Sequence, residues 1–85
     1  MRWFYLLQVE RKDGVRINLA KFTDERIALR QKAKAECLRK QRIYEARRNG
    51  TYHGSSYAFF AVSRVPEIMR VSCDGELYDG LLGLK

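Results

Sequence analysis

Residues 2–21, RWFYLLQVERKDGVRINLAK, decide the fold, because their alternation suits one sheet register and not the next. Trp3, Tyr5, Leu7 and Val9 share one face of a strand over 2–10, and Phe4, Leu6, Gln8 and Glu10 share the other. Val15, Ile17 and Leu19 share a face of a second strand over 15–21. A two-residue Asp13-Gly14 turn would set Val9 against Asn18 and Glu10 against Ile17, mixing apolar with polar. A three-residue Lys12-Asp13-Gly14 loop pairs Arg11 with Val15, Val9 with Ile17 and Leu7 with Leu19. On the opposite face it pairs Glu10 with Arg16 and Gln8 with Asn18. This register predicts a bulge turn with Gly14 in the left-handed position, where the absence of Cβ matters.

The next signal is a helix start. Thr23 is the expected cap, Asp24 and Glu25 suit the positive end of the dipole, and Phe22 with Ile27 fits a hydrophobic staple. The helix is predicted to run to about Arg48 and to stop at Asn49-Gly50, with Gly50 as the residue after the cap. Arg47 and Arg48 fall in its last turn, where cations suit the negative dipole end. At 100° per residue, Leu29, Ala33, Cys37 and Tyr44 form one stripe. Ile27 and Leu38 lie off it, with Ala28, Ala35 and Ala46 to their side. One face is expected to cover the sheet; the second, weaker face either meets a partner or a second copy, as in a homodimer, or belongs to a helix that curls around a small twisted core and shows only alanines to water.

Beyond a loop at 51–55, residues 56–65, SYAFFAVSRV, read as a strand apolar on both faces and ended by Pro66. Phe59, Ala61 and Tyr57 are assigned to one face, Ala58, Phe60 and Val62 to the other. Residues 68–73 read as a fourth strand, Cys73-Asp74-Gly75 as a hairpin turn, and 76–78 as a short return strand. Asp79-Gly80 reads as a further turn before the apolar tail Leu81, Leu82 and Leu84. The expected fold is therefore α+β: a two-layer, mostly antiparallel sheet in the order β-β-α-β-β, with a short extra strand, under one long helix. Residues 1–85 are expected to form a single small domain.

The formal charge is +7, from 17 basic and 10 acidic residues. Residues 24–48 hold nine of those basic residues, so the surplus belongs to the helix rather than to an even solubilising coat. That points to an anionic partner, DNA or RNA first and an acidic protein as the rival. Around the wheel Arg30, Lys34 and Arg48, with Arg26 beside them, fall on one arc. Lys40 and Arg47 border the apolar stripe, whereas Lys32, Arg39 and Arg42 point elsewhere. The nucleic-acid-binding set expected from this pattern is Arg30, Lys34, Lys40, Arg47, Arg48 and Tyr52, with Tyr52 stacking on bases. The rival reading is a protein-binding module or inhibitor that uses an edge strand, the helix face or the leucine-rich tail.

Catalytic chemistry has little to work with. One histidine and two separated cysteines, Cys37 and Cys73, make no metal-ligand pattern, and no cofactor or metal is expected. No glycine-rich phosphate loop is present. Ser55 or Ser56 with His53 and Asp74 spells a hydrolase triad only on paper. A metal-independent ribonuclease with His53 as acid or base, Arg48 on phosphate and Tyr57 orienting substrate is a third reading. Trp3, Phe4 and Leu6 beside Arg2 invite a membrane surface, but strand alternation argues against one, and the apolar run is too short to span a bilayer or serve as a signal segment. The unpaired cysteines imply a reducing compartment, so a cytoplasmic protein is expected.

Overall fold

The computed structural model describes residues 2–54 and 57–82, without the Ala58 side chain. Strands β1 (Trp3–Arg11) and β2 (Arg16–Phe22) are followed by helix α1 (Glu25–Arg48), strand β3 (Tyr57–Pro66) and helix α2 (Gly75–Leu82). The sheet is antiparallel in the order β2-β1-β3, so β1 is the central strand.

The hairpin forms with the three-residue loop. Arg11 N donates to Val15 O at 2.8 Å, Gly14 N donates to Arg11 O at 2.9 Å, and Gly14 sits at φ +89°. Asp13 reinforces the turn by accepting from Val15 N at 3.1 Å and by pairing with Arg11. Val9–Ile17, Gln8–Asn18 and Glu10–Arg16 pair as the alternation requires. The expected Leu7–Leu19 pair does not form: the register shifts between Leu7 and Gln8, and Leu7 faces Ala20. The extra residue is Leu19. A bulge lets it stay in the core while the next turn of strand keeps its alternation.

Tyr5, Leu7 and Val9 lie on the same side of the sheet as their β3 partners Arg64, Val62 and Phe60. That side carries the core of Leu7, Val9, Leu19, Ala35, Phe60 and Leu82. A second register shift, between Glu10 and Arg11, brings Tyr57 to this core, not to the Phe59 face where alternation put it. Fully burying a leucine or valine stabilises by about 1.5–3 kcal/mol, and Leu7 and Val9 are both 0% exposed.

Asp24, not Thr23, caps α1. Its backbone is extended, and its side chain accepts from Arg26 N at 2.8 Å. The shift by one residue moves the staple positions off Phe22 and Ile27, and Ile27 stands exposed. The other end matches expectation. Asn49 is the cap, Gly50 follows at φ +73°, and Gly50 N and Thr51 N donate to Arg47 O and Ala46 O. This is a Schellman closure, which satisfies carbonyls that a helix end otherwise leaves open.

The face of α1 that meets the sheet is the small one. Ala28 and Ala35 are buried, flanked by half-buried Gln31, Leu38, Arg39 and Ala46. Leu29, Cys37 and Tyr44 of the other stripe are exposed. Alanines let the helix backbone approach a sheet already filled by Leu7, Val9 and Phe60.

The C-terminal third departs from the strand reading. The fourth strand expected at 68–73 does not form: residues 67–74 carry no strand, and 75–82 form α2 rather than a return strand and a turn. Asp74 is responsible: its side chain accepts from Leu77 N at 3.0 Å, and its carbonyl accepts from Tyr78 N at 3.1 Å. Leu77, Tyr78, Leu81 and Leu82 then share helical spacing and pack on the core. Asp74 N also donates to Asn18 O at 2.8 Å, which ties the start of α2 to β2. Leu84 and residues 55–56 lie outside the described residues.

Candidate nucleic-acid interface

The basic residues of α1 divide by their position on the helix. Three lie outside the outward arc and are bonded to protein groups. Lys32 pairs with Glu36 at 3.0 Å, Arg39 Nη2 donates to Tyr57 O at 2.7 Å, and Arg42 Nη1 donates to Gly80 O at 3.1 Å. The last two bonds join α1 to β3 and to α2. On the wheel both side chains flank the buried alanines, with Arg39 half-buried and Arg42 exposed.

The remaining cations, Arg26, Arg30, Lys34, Lys40, Arg47 and Arg48, are all exposed. They occupy an outward arc of about 140°, taken at 100° per residue, and no acidic residue of α1 falls within it. Arg26 shares Asp24 at 3.5 Å. Among the described residues, none of the other five pairs with a carboxylate. From Arg30 to Arg48 the arc runs about 27 Å along the axis at 1.5 Å per residue. Exposed Leu29, Cys37 and Tyr44 are interleaved with it.

The expected set is thus brought together in part. Arg30, Lys34 and Arg48 lie on one strip. Lys40 sits on the flank toward β3, where it borders a groove with Phe59. Arg47 stacks over the Tyr52 ring, 4.9 Å from its centroid. That contact fixes the tyrosine beside the C-terminal end of the helix and extends the basic surface onto the loop.

A cavity of about 310 Å³ opens beside this corner. Ile43, Ala46, Phe60 and Leu81 give it an apolar floor, while Tyr52, Tyr57, Arg39 and Arg42 complete its walls. Nothing in the linear pattern announced it, because its walls come from α1, β3, α2 and the 49–54 segment.

The face of the sheet away from the helices carries a second polar arrangement that sequence reasoning passed over. Ser63 Oγ donates to Gln8 Oε1 at 2.7 Å, and Gln8 Nε2 donates to Asn18 Oδ1 at 2.8 Å, which links all three strands. Lys21 and Arg16 lie over the rings of Phe4 and Phe59, at 4.6 and 5.9 Å. The hairpin register was the signal that could have found it, since Gln8, Asn18, Glu10 and Arg16 already shared that face. Leu6 is 2% exposed there, flanked in the ladder by Lys21 and Ser63.

His53 is exposed in the loop, and among the described residues it makes no hydrogen bond to Arg48 or Tyr57. Ser55 and Ser56 lie outside the described residues. Among the described residues, no group of three His, Cys, Asp or Glu side chains is placed to hold a metal, and no helix is long and apolar enough to cross a membrane. Cys37 and Cys73 are both exposed and unbonded. No family model, no curated protein and no solved structure matches this chain.

Proposed function

We propose that this protein binds nucleic acid, DNA or RNA, as an accessory or regulatory factor, through the outward face of α1 and its C-terminal corner. The observation that carries this reading is the division of the helix cations. Lys32, Arg39 and Arg42 are tied to Glu36, Tyr57 O and Gly80 O, and the rest line one exposed arc that holds no acidic residue of α1. Solvated charge with no structural duty would be scattered among acids. A run of cations over about 27 Å matches about eight base-pair steps of a duplex at 3.4 Å each. Tyr52, held under Arg47, adds an aromatic surface at the end of the run.

Fluorescence anisotropy against duplex DNA, single-stranded DNA and structured RNA at several salt concentrations tests this. If six cations meet phosphates, the logarithm of affinity falls with the logarithm of salt at a slope of about −5 on duplex and about −4 on single strands. Charge reversal at Arg30, Lys34 and Arg48 together is expected to weaken binding about a hundredfold or more and to flatten the slope by about three. Unchanged affinity in that variant would overturn the reading.

A second reading rests on β3. It is an edge strand, Phe59 is 44% exposed, and a groove lined by Lys32, Glu36, Lys40 and Phe59 runs beside it. An extended segment of another protein could add there as a fourth strand. The apolar tail supports this rival less, because Leu82 is buried in the molecule's own core.

A further inference from the structure

Building on the nucleic-acid reading, we propose that the cavity between α1, β3, α2 and the 49–54 segment receives a single unpaired nucleobase, so that the preferred ligand carries a bulged or single-stranded nucleotide. Four features converge. The cavity, at about 310 Å³, is at the small end for ligand sites, which suits one heteroaromatic ring system and not an extended molecule. Its lining is amphipathic in the way a base requires: Ile43, Ala46 and Leu81 offer apolar contact, while Tyr52 and Tyr57 supply aromatic surface. Arg42 is anchored to Gly80 O by one of its five guanidinium donors, and this holds the others at the rim for acceptors on a base edge or its phosphate.

The fourth feature is continuity. Tyr52 belongs to the cavity wall and lies under Arg47, which belongs to the outward basic arc. A strand whose phosphates follow that arc reaches the cavity mouth at its C-terminal end. A base leaving the stack there exchanges base–base stacking for contact with the tyrosines and the apolar floor, and Arg47 remains with the backbone. A fully paired duplex has no base to offer, and the cavity then adds nothing to its affinity.

The experiment compares three ligands of equal length: a fully paired duplex, one with a central bulged 2-aminopurine, and one with an abasic bulge, each in DNA and RNA form. The bulged base is expected to bind about 5- to 150-fold tighter than either control, the range that one base stacked on aromatic side chains supplies. Its 2-aminopurine emission is expected to change at saturation. Ala46→Leu, which fills the cavity, is expected to remove that gain and leave paired-duplex affinity in place. Equal affinity for all three ligands, with no change in emission, overturns the cavity proposal while leaving the basic arc standing. Absence of binding to any ligand at low salt overturns the basic arc itself, and the cavity proposal with it. The abasic arm decides the matter even if Ala46→Leu fails to fold. The DNA and RNA arms identify which polymer supplies the base.

Discussion

Ala28 and Ala35 bear on the sheet, while Leu29, which offers more apolar surface, is 46% exposed. Size explains the inversion. The sheet side already projects Leu7, Val9 and Phe60, and a helix can close over them only where its own side chains are short. The core therefore depends on strand residues, and Leu7→Ala is expected to lower stability by about 2–5 kcal/mol in urea unfolding. Leu29→Ala is expected to change it by about 0.5 kcal/mol or less. Two aspartates tie local geometry to pH. Backbone N–H donation from Arg26 holds the Asp24 carboxyl below its ordinary 3.8, and donation from Val15, with Arg11 beside it, does the same for Asp13. A lowered folded-state value means that the stabilisation is complete above the unfolded pKa and is lost as pH falls through the folded one. Melting temperature followed by circular dichroism should therefore fall as pH drops below about 4. Asp24→Asn, which keeps a cap acceptor that cannot titrate, is expected to fall less steeply over the same window.

At the scale of elements, ends and turns carry the instructions. The hairpin loop and the close of α1 both place a glycine at positive φ, Gly14 at +89° and Gly50 at +73°. An added Cβ would meet nothing within 4 Å at either site, so alanine there tests backbone conformation alone. Gly14→Ala and Gly50→Ala are each expected to destabilise by about 1–2 kcal/mol in denaturant titration. Asp74 decides the last element. A Cys-Asp-Gly run resembles a hairpin turn in isolation, but here the aspartate caps a helix and its backbone N–H is held by Asn18 on β2. The docked helix then raises the Tyr78 hydroxyl's pKa, chiefly by burial and secondly through Asp79, and that hydroxyl bonds Gln31 of α1 at 3.3 Å. Leu82→Ala is expected to cost about 2–3 kcal/mol and to loosen α2, read as faster amide exchange at 77–82.

Across the whole molecule, the fold sorts charge by duty. Lys32 and Arg30 are two residues apart on one helix, yet Lys32 pairs with Glu36 and Arg30 faces outward. Arg30→Ala is expected to flatten the salt dependence of nucleic-acid binding by about one, and Lys32→Ala to leave it unchanged. Equal effects from both substitutions would mean that charge acts through the overall field and not through a defined face.

Alternation over 2–21 determined the hairpin, its loop length and most of its register, because each strand residue has only two faces to choose from. The Asn49-Gly50 stop was legible for a similar reason: the left-handed position after a helix cap is a local demand that glycine meets. Tertiary packing decided the rest. Two bulges moved Leu19 and Tyr57 relative to strict alternation, and a bulge is chosen by what the core must accommodate. The wheel of α1 offered two stripes of similar apolarity, and only the filled sheet selected the alanine side. The 75–82 segment holds residues that suit a turn or a helix, and contact with β2 and α1 resolved it. The basic arc was half visible. The sequence counted the cations, but which arginines are bonded within the fold depends on carbonyls at Tyr57 and Gly80, brought to the helix from 18 and 38 residues away.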